Sequence, residues 1–395
     1  MRRAVRWARL AGPMGAPRVL VLHNRYRIEG GEERSVELQL RALQQAGVPH
    51  TLLERRSAGV ARVHAAAAML RGGESSADVA TAVRDLRADV VHAHNIQPLI
   101  SPGALATAKN ADTRVVLHLH NARLFCAIGV ASRDGRPCLR CRRRLTLPGL
   151  VLNCRGSLPE AAIYAAALSL HQPVVWEAVD RFVTPSRYAA GQLAMLGVPG
   201  DRLEVLPHYL PADAFAAESR ADRGRYALTA ARLSQEKGID IAIQAAARAR
   251  IPLRIAGEGP AAPMLIALAR RLDAPVEFLG AVDRRALVEL VANAAMVLLP
   301  SRYHEFGPFA ALEAMAAGVP VVASRLGGLP ELVGEDSCVP AFDSAAFAAR
   351  MRTLWEDANL RRIRGNALLA RARECHAEER YVRHLLDLYA RVTAA

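Results

Sequence analysis

Residues 295–323 can fold in few ways. The run 295–299 (AMVLL) is continuously apolar and stops at Pro300, the pattern of a strand covered on both faces in a parallel sheet. A polar loop holding Glu305 and Gly307 follows. A helix is then predicted, with Pro308 at its first position and Gly318 as its C-terminal stop. Residues 319–323 (VPVVA) supply the next strand. Parallel strands need a crossover, so the segment reads as one βαβ unit. Open sheets of this kind bind ligands in the loops at the carboxyl ends of their strands, which is where Glu305 falls. Glu313 lies on the helix, within reach of the same crevice, and the helix start offers free N–H groups to a phosphate.

The same grammar recurs upstream. Residues 226–232 (YALTAAR) read as a strand, and Lys237 sits in the loop after it, with Gly238 turning into a helix from Ile239. The chain has 52 basic residues, of which only Lys109 and Lys237 are lysine. A lysine kept where arginine is the default suggests that a compact point charge is wanted rather than a planar fork. Residues 253–256 form a strand ending in Gly257-Glu258-Gly259-Pro260, and Phe278-Leu279-Gly280 ends another. No Asp-x-Asp occurs anywhere, so the carboxylate pair that commonly holds Mg²⁺ or Mn²⁺ is missing. Arg232 and Lys237 could neutralise a leaving diphosphate in its place.

In the first half, residues 18–23 (RVLVLH) are a strand, and 32–46 has helical apolar spacing at Val36, Leu40 and Leu43. Gly30 and Gly31 lie between them. Residues 89–95 (DVVHAHN) and 114–121 (RVVLHLHN) are two further strands. Within each, the two histidines are two apart and share a face, and parallel pairing brings His94 and His120 to neighbouring loops. Strand-end hydrogen bonding and a zinc site from the converging histidines are both open readings.

Cys126, Cys138, Cys141 and Cys154 fall within thirty residues, with Cys138 and Cys141 forming a C-x2-C knuckle. In a cytoplasmic setting this spacing favours a structural zinc site over disulfides. Free thiols or reversible disulfides are the competing readings. Arg133, Arg136, Arg140, Arg142, Arg143, Arg144 and Arg155 surround the knuckle. The net charge of +14 fits nucleic acid, an anionic membrane or phosphorylated substrates. Basic residues before a helix-prone stretch at 158–178 would suit peripheral docking on an anionic leaflet, with a core helix as the plainer alternative. The Arg-rich start, MRRAVRWARLAGPMGAP, has no apolar core, so it does not read as a secretory signal. A cytoplasmic protein is expected, at most peripheral at the inner face of a membrane.

Taken in order, these motifs resemble the retaining glycosyltransferases of family 4, which have the GT-B fold. The carriers are E-x7-E at Glu305 and Glu313, the R-L-x-x-E-K-G stretch at Arg232 to Gly238, the G-x-G-P turn at Gly257, and the glycine pair at Gly30. One departure is Ala231, where the family usually has glycine. The resemblance implies two facing Rossmann-like α/β domains with parallel sheets and a C-terminal helix crossing back to the first. It gives Glu305 the donor sugar, Glu313 the ribose, and Arg232 and Lys237 the diphosphate. Gly30, Gly31, Gly257, Gly259, Gly307, Pro308 and Phe309 complete the donor site. His120 would lie by the reacting sugar, and His94, Asn95 and Asn121 with His120 on the acceptor side.

The expected organisation is a disordered extension (1–17), an acceptor-binding domain (18–205) with the Cys-rich insertion (126–154), a nucleotide-sugar domain (206–372) and a final helix (373–395). The implied reaction moves a hexose from a UDP- or GDP-linked donor to a sugar or lipid-linked acceptor in polysaccharide or glycolipid synthesis. It uses no catalytic cofactor and no nucleic acid. Rival readings are an epimerase or hydrolase of the same fold, and a basic, zinc-bearing nucleic-acid-binding protein.

Overall fold

The computed structural model describes residues 16–26, 30–133 and 136–394, so the expected N-terminal extension lies almost wholly outside the described residues. The chain divides into two compact units. The first contains the described residues up to Ala131, together with Cys138–Pro207 and those from Glu379 onward. The second contains Ser132–Pro137 and His208–Glu378.

In the first unit the strands are β1 (Val19–Arg25), β2 (His50–Arg56), β3 (Val90–Ala93) and β4 (Arg114–His118). A small hairpin, β5 (Ser132–Arg133) with β6 (Arg136–Pro137), falls next in the chain and groups with the second unit. Then come β7 (Arg181–Thr184) and β8 (Leu203–Val205). The sheet order is β2-β1-β3-β4-β7-β8, parallel throughout. Both faces are covered, which explains the unbroken apolar runs: Val19 to Leu22, Val90, Val91 and Val115 to Leu117 are all buried. The winding direction reverses between β1 and β3.

The helix Gly31–Gln45 departs from its expected stripe. Val36 and Leu43 are buried, but Leu40 is only half-buried, while Leu38 and Gln39 are fully enclosed. The reason is polar. Gln39 Nε2 donates to the Tyr389 hydroxyl at 3.0 Å, and that hydroxyl is also 2.8 Å from His92 Nδ1. Tyr389 belongs to the helix Glu378–Ala394, whose apolar face of Val382, Leu385 and Tyr389 is buried.

The second unit has β9 (Ala227–Ala230), β10 (Leu253–Ala256), β11 (Val276–Gly280), β12 (Met296–Leu299), β13 (Val321–Ser324) and β14 (Cys338–Val339). Their order is β11-β10-β9-β12-β13-β14, again all parallel. The reversal here lies between β9 and β12. The crossover between β12 and β13 is the helix Phe309–Ala316, with Pro308 as its N-cap, so the helix starts one residue later than predicted. Gly318, at φ +68, follows the C-cap Ala317.

The helix Ala358–Cys375 is docked by two residues. The buried Arg361 guanidinium donates to four backbone carbonyls, those of Ala221, Asp222, Leu354 and Trp355, at 2.7–2.8 Å. One turn on, Gly365 packs so closely that a Cβ there would lie 2.0 Å from the Gly318 carbonyl oxygen and 2.3 Å from Ser219 Oγ. Alanine outranks glycine in a helix by about 1 kcal/mol, but this clash is with backbone and outweighs it. Gly365→Ala is expected to lower stability by about 2 kcal/mol, read as a fall in the urea midpoint. An unchanged or raised midpoint would refute this packing.

Candidate active site

Because β9 and β12 are neighbours, the loops that leave their carboxyl ends are neighbours too. Lys237 comes from the first loop, and Ser301, Tyr303 and Glu305 from the second. Lys237 Nζ is 2.7 Å from Glu305 Oε1 and donates to the Tyr303 hydroxyl at 3.0 Å. Ser301 Oγ donates to the same carboxylate oxygen at 2.9 Å, and the Tyr303 hydroxyl bonds Glu305 Oε2. Glu305 is buried. Burial alone would push the Lys237 ammonium down, but the Glu305 carboxylate, helped by Tyr303, holds it above its ordinary value. Burial, with Glu305 adding to it, pushes the Tyr303 phenol up.

Glycines let the backbone close around this pair. Gly238 (φ +65) is so near Pro300 that a Cβ would lie 2.0 Å from its carbonyl oxygen. Gly327 (φ +64) backs Glu305 in the same way, and the Gly328 N–H donates to the Glu305 carbonyl at 2.7 Å. Arg232 donates to Glu236 at 2.6 Å and is half exposed. Glu313 is bound by Arg284. Gly257 and Gly259 have a packing role within the unit: side chains there would run into the carbonyl oxygens of Ala231 and Leu233, at 2.0 and 2.3 Å. Gly307 and Pro308 lead into the helix that begins at Phe309, whose ring stacks on His208 with centroids 4.5 Å apart.

The first unit carries its own polar cluster at the ends of β1, β3 and β4. His94 and His120 lie just past their strands, and His92 and His118 within them. The four imidazoles stack, with His92–His94 centroids 4.9 Å apart, His94–His118 5.1 Å and His118–His120 4.1 Å. His94 Nδ1 is 2.9 Å from His120 Nε2. Burial pushes His92 down to about 3, so its ring is neutral at ordinary pH. Asn95 bonds the Asn24 carbonyl at 2.6 Å, a loop-bracing contact.

Next to the histidines, Glu33 accepts from the Gly30 and Tyr26 N–H groups at 2.7 and 3.0 Å and so caps the start of the helix at Gly31. Glu32, also buried, accepts from the Tyr26 hydroxyl at 2.8 Å and from Asn121 Nδ2 at 3.3 Å. Arg123 lies 4.7 Å over the Tyr26 ring.

Residues 212–368 match the family described as glycosyl transferases group 1, and residues 28–208 match the glycosyl transferase 4-like domain. The chain belongs to the group 1 glycosyltransferases. A glycogen synthase of Mycobacterium tuberculosis is 32% identical over 304 residues, which is 73% of this chain and 65% of that protein. The chain thus spans just under two thirds of that relative's length. A GDP-mannose-dependent alpha-(1-6)-phosphatidylinositol dimannoside mannosyltransferase of the same species is 42% identical over 130 residues, 31% of this chain and 33% of the relative. The crystal structure of Anabaena Alr3699/HepE in complex with UDP-glucose superposes with a TM-score of 0.67 at 16% identity, covering 94% of this chain and 99% of that one. The fold of this group 1 glycosyltransferase is therefore GT-B, as expected.

The four thiols of the insertion form no disulfide, and among the described residues the group of three or more ligating side chains that converges is His92, His94 and His118, not these cysteines. Burial pushes Cys141 up to about 11, and Cys126, Cys154 and Cys138 add to the effect. Several site residues were not singled out from sequence. Ser301 and Tyr303 stand beside Glu305 in a loop that was read for its glutamate alone. Glu33 was legible in principle, as an acid three places after the helix cap. Glu32, Gln39 and Tyr389 carried no such signal.

Burial raises the Glu32 carboxyl from 4.5 to about 6, against the lowering effect of the Tyr26 hydroxyl. A raised carboxyl binds its proton more tightly in the folded state. The charged form therefore costs stability, and the cost appears as pH rises through the window from 4.5 to 6. Glu32→Gln is expected to stabilise the protein at pH near 7.5 by about 2 kcal/mol, with no gain near pH 4. Thermal melts of both proteins at the two pH values check this, and a gain independent of pH would contradict the assignment.

Proposed function

We propose that the protein transfers a hexosyl unit from a nucleotide-diphosphate sugar to an acceptor hydroxyl, retaining the anomeric configuration and using no metal ion in the chemistry. The observation that carries this reading is the Lys237–Glu305 pair at the reversal of the second sheet, its carboxylate buried and its ammonium half-buried. A lone buried ion pair is a poor stabiliser, whereas a cation and a carboxylate at a switch point are what a charged sugar donor needs. Diphosphate competes with Glu305 for Lys237, so donor binding draws the ammonium toward phosphate. The Glu305 carboxylate, still held by Ser301 and Tyr303, is then released to accept sugar hydroxyls. Arg232 adds a second cation once it leaves Glu236, and Glu313, released by Arg284, accepts the ribose hydroxyls.

The named relatives support this direction. One is called a glycogen synthase, another uses GDP-mannose, and a structural neighbour holds UDP-glucose. The donor is read as UDP- or GDP-linked, with its nucleotide, sugar and acceptor to be settled by assay. The acceptor is assigned to the first unit, where His120, Asn121, His94 and Asn95 gather at one edge of the sheet. The reading places the enzyme in polysaccharide or glycolipid synthesis.

Two accessory features belong to this reading. The four thiols of the insertion are assigned to structural zinc on the C-x2-C spacing of Cys138 and Cys141. The same region exposes Leu145, Leu147, Val151 and Leu158 beside the exposed Arg140, Arg142, Arg143 and Arg144. Apolar side chains among arginines suit an anionic bilayer surface. Among the described residues no helix is long and apolar enough to cross a membrane.

A thermal-shift panel of UDP-, GDP- and ADP-sugars identifies the donor. With that donor, Lys237→Ala and Glu305→Ala are each expected to cut nucleoside diphosphate release by about 100-fold or more while the fold persists. Wild-type turnover is expected to survive excess EDTA. Near-normal rates in both variants would end the assignment, and loss in EDTA restored by Mg²⁺ would end metal independence. Leu147→Asp with Val151→Asp is expected to abolish co-sedimentation with vesicles containing phosphatidylglycerol. Wild-type protein that ignores such vesicles would remove the membrane reading.

A further inference from the structure

We propose that His92, His94 and His118 form a binding site for a divalent transition metal of the zinc class, buried under the acceptor edge of the first unit. One atom from each imidazole lies within 4.8 Å of the corresponding atoms of the other two, and all three residues are buried. A tetrahedral zinc with nitrogens at about 2.0–2.1 Å sets its imidazole centres roughly 5 Å apart. The observed centroid separations are 4.9, 5.1 and 5.7 Å.

The surrounding hydrogen bonds set the His94 tautomer for ligation. Gln39 Nε2 donates to the Tyr389 hydroxyl, so the Gln39 carbonyl oxygen is left to accept from His94 Nε2, at 2.6 Å. His94 Nε2 therefore carries the proton, and its Nδ1 presents a lone pair. His92 is engaged at Nδ1 by Tyr389, at 2.8 Å. Its Nε2 is wholly buried and has no hydrogen-bond partner. A metal-bound histidine characteristically has one nitrogen on the ion and the other held by a polar group behind it. Tyr389 and Gln39 are those groups here.

His120 Nε2 stands 2.9 Å from His94 Nδ1. When a cation takes the His94 Nδ1 lone pair, His120 gives up this hydrogen bond. His120 is only half-buried, so it marks the side from which an ion enters. Glu33, 3.8 Å from His23 Nε2, supplies a carboxylate behind the cluster, where His23 meets His94 edge-on. The site shares no residue with the four thiols and does not depend on the donor assignment.

The test uses the full chain carrying no polyhistidine tag, purified without chelators and dialysed against Zn²⁺ or Co²⁺, with metal counted by mass spectrometry. Three proteins are compared: wild type, Cys138→Ser with Cys141→Ser, and His92→Gln with His118→Gln. The thiol variant is expected to keep about one equivalent per chain that the histidine variant lacks. Loaded with Co²⁺, it should show visible d–d absorption without a near-ultraviolet thiolate charge-transfer band, and a raised melting temperature. If the histidine variant fails to fold, the thiol variant decides alone. Less than about a tenth of an equivalent in it, with no thermal shift from either ion, overturns the proposal. A cobalt spectrum with a thiolate band overturns it as well.

Discussion

Strand order decides what Lys237 can touch. The chain lays down β9, β10 and β11 in one direction, then returns to place β12 on the other flank of β9, with Met296 beside Ala227. Only that return makes the loop after β12 adjacent to the loop after β9, although Lys237 and Glu305 stand 68 residues apart. Taking both charges out of water is costly, and attraction between them repays it only when their remaining polar atoms are also bonded. Ser301 and Tyr303 do that for the carboxylate. The glycines at 238 and 327 let the backbone approach closely on either side of the pair. The rest of the second unit, including the docking of Arg361 and Gly365, holds the sheet that fixes this spacing.

The first unit depends on a polar joint rather than an ion pair. Gln39 uses both ends of its amide, one toward Tyr389 and one toward His94. Through it, the helix Gly31–Gln45, the strand-end histidines and the helix Glu378–Ala394 are tied at one point. Networks of this kind are worth having only when each member is satisfied. That requirement draws attention to the His92 nitrogen left without a partner.

Much of the second unit was legible because its signals are local. Residues 253–256 form a strand with the predicted bounds, and the βαβ segment around Glu305 is displaced by one position at Pro308. Lys237 stood out through composition, as one of two lysines among 52 basic residues. What was not legible depends on partners distant in sequence. The apolar stripe of the helix Gly31–Gln45 failed at Leu40 and Gln39 because Gln39 is buried for hydrogen bonds that come from His94 and Tyr389. Periodicity registers apolar faces and cannot register that. The glycines at 257 and 259 read from sequence as a ligand turn, with no sign there that their backbones also pack against the Ala231 and Leu233 carbonyls. The histidine pairs were placed on a common face, but their stacking into a single column needed the pairing of β3 with β4.

The tie between Tyr389 and Gln39 bears on the order in which the protein matures. A ribosome delivers residues 379–394 only after the whole second unit has been made. The chain that forms the first sheet therefore emerges early, yet its buried polar groups must wait for a helix encoded beyond the other unit. Domains generally fold in the order they are synthesised. Here the second unit has all its own strands before the first can close over Gln39 and His92, so the nascent first unit is the stage at which a chaperone would have most to protect.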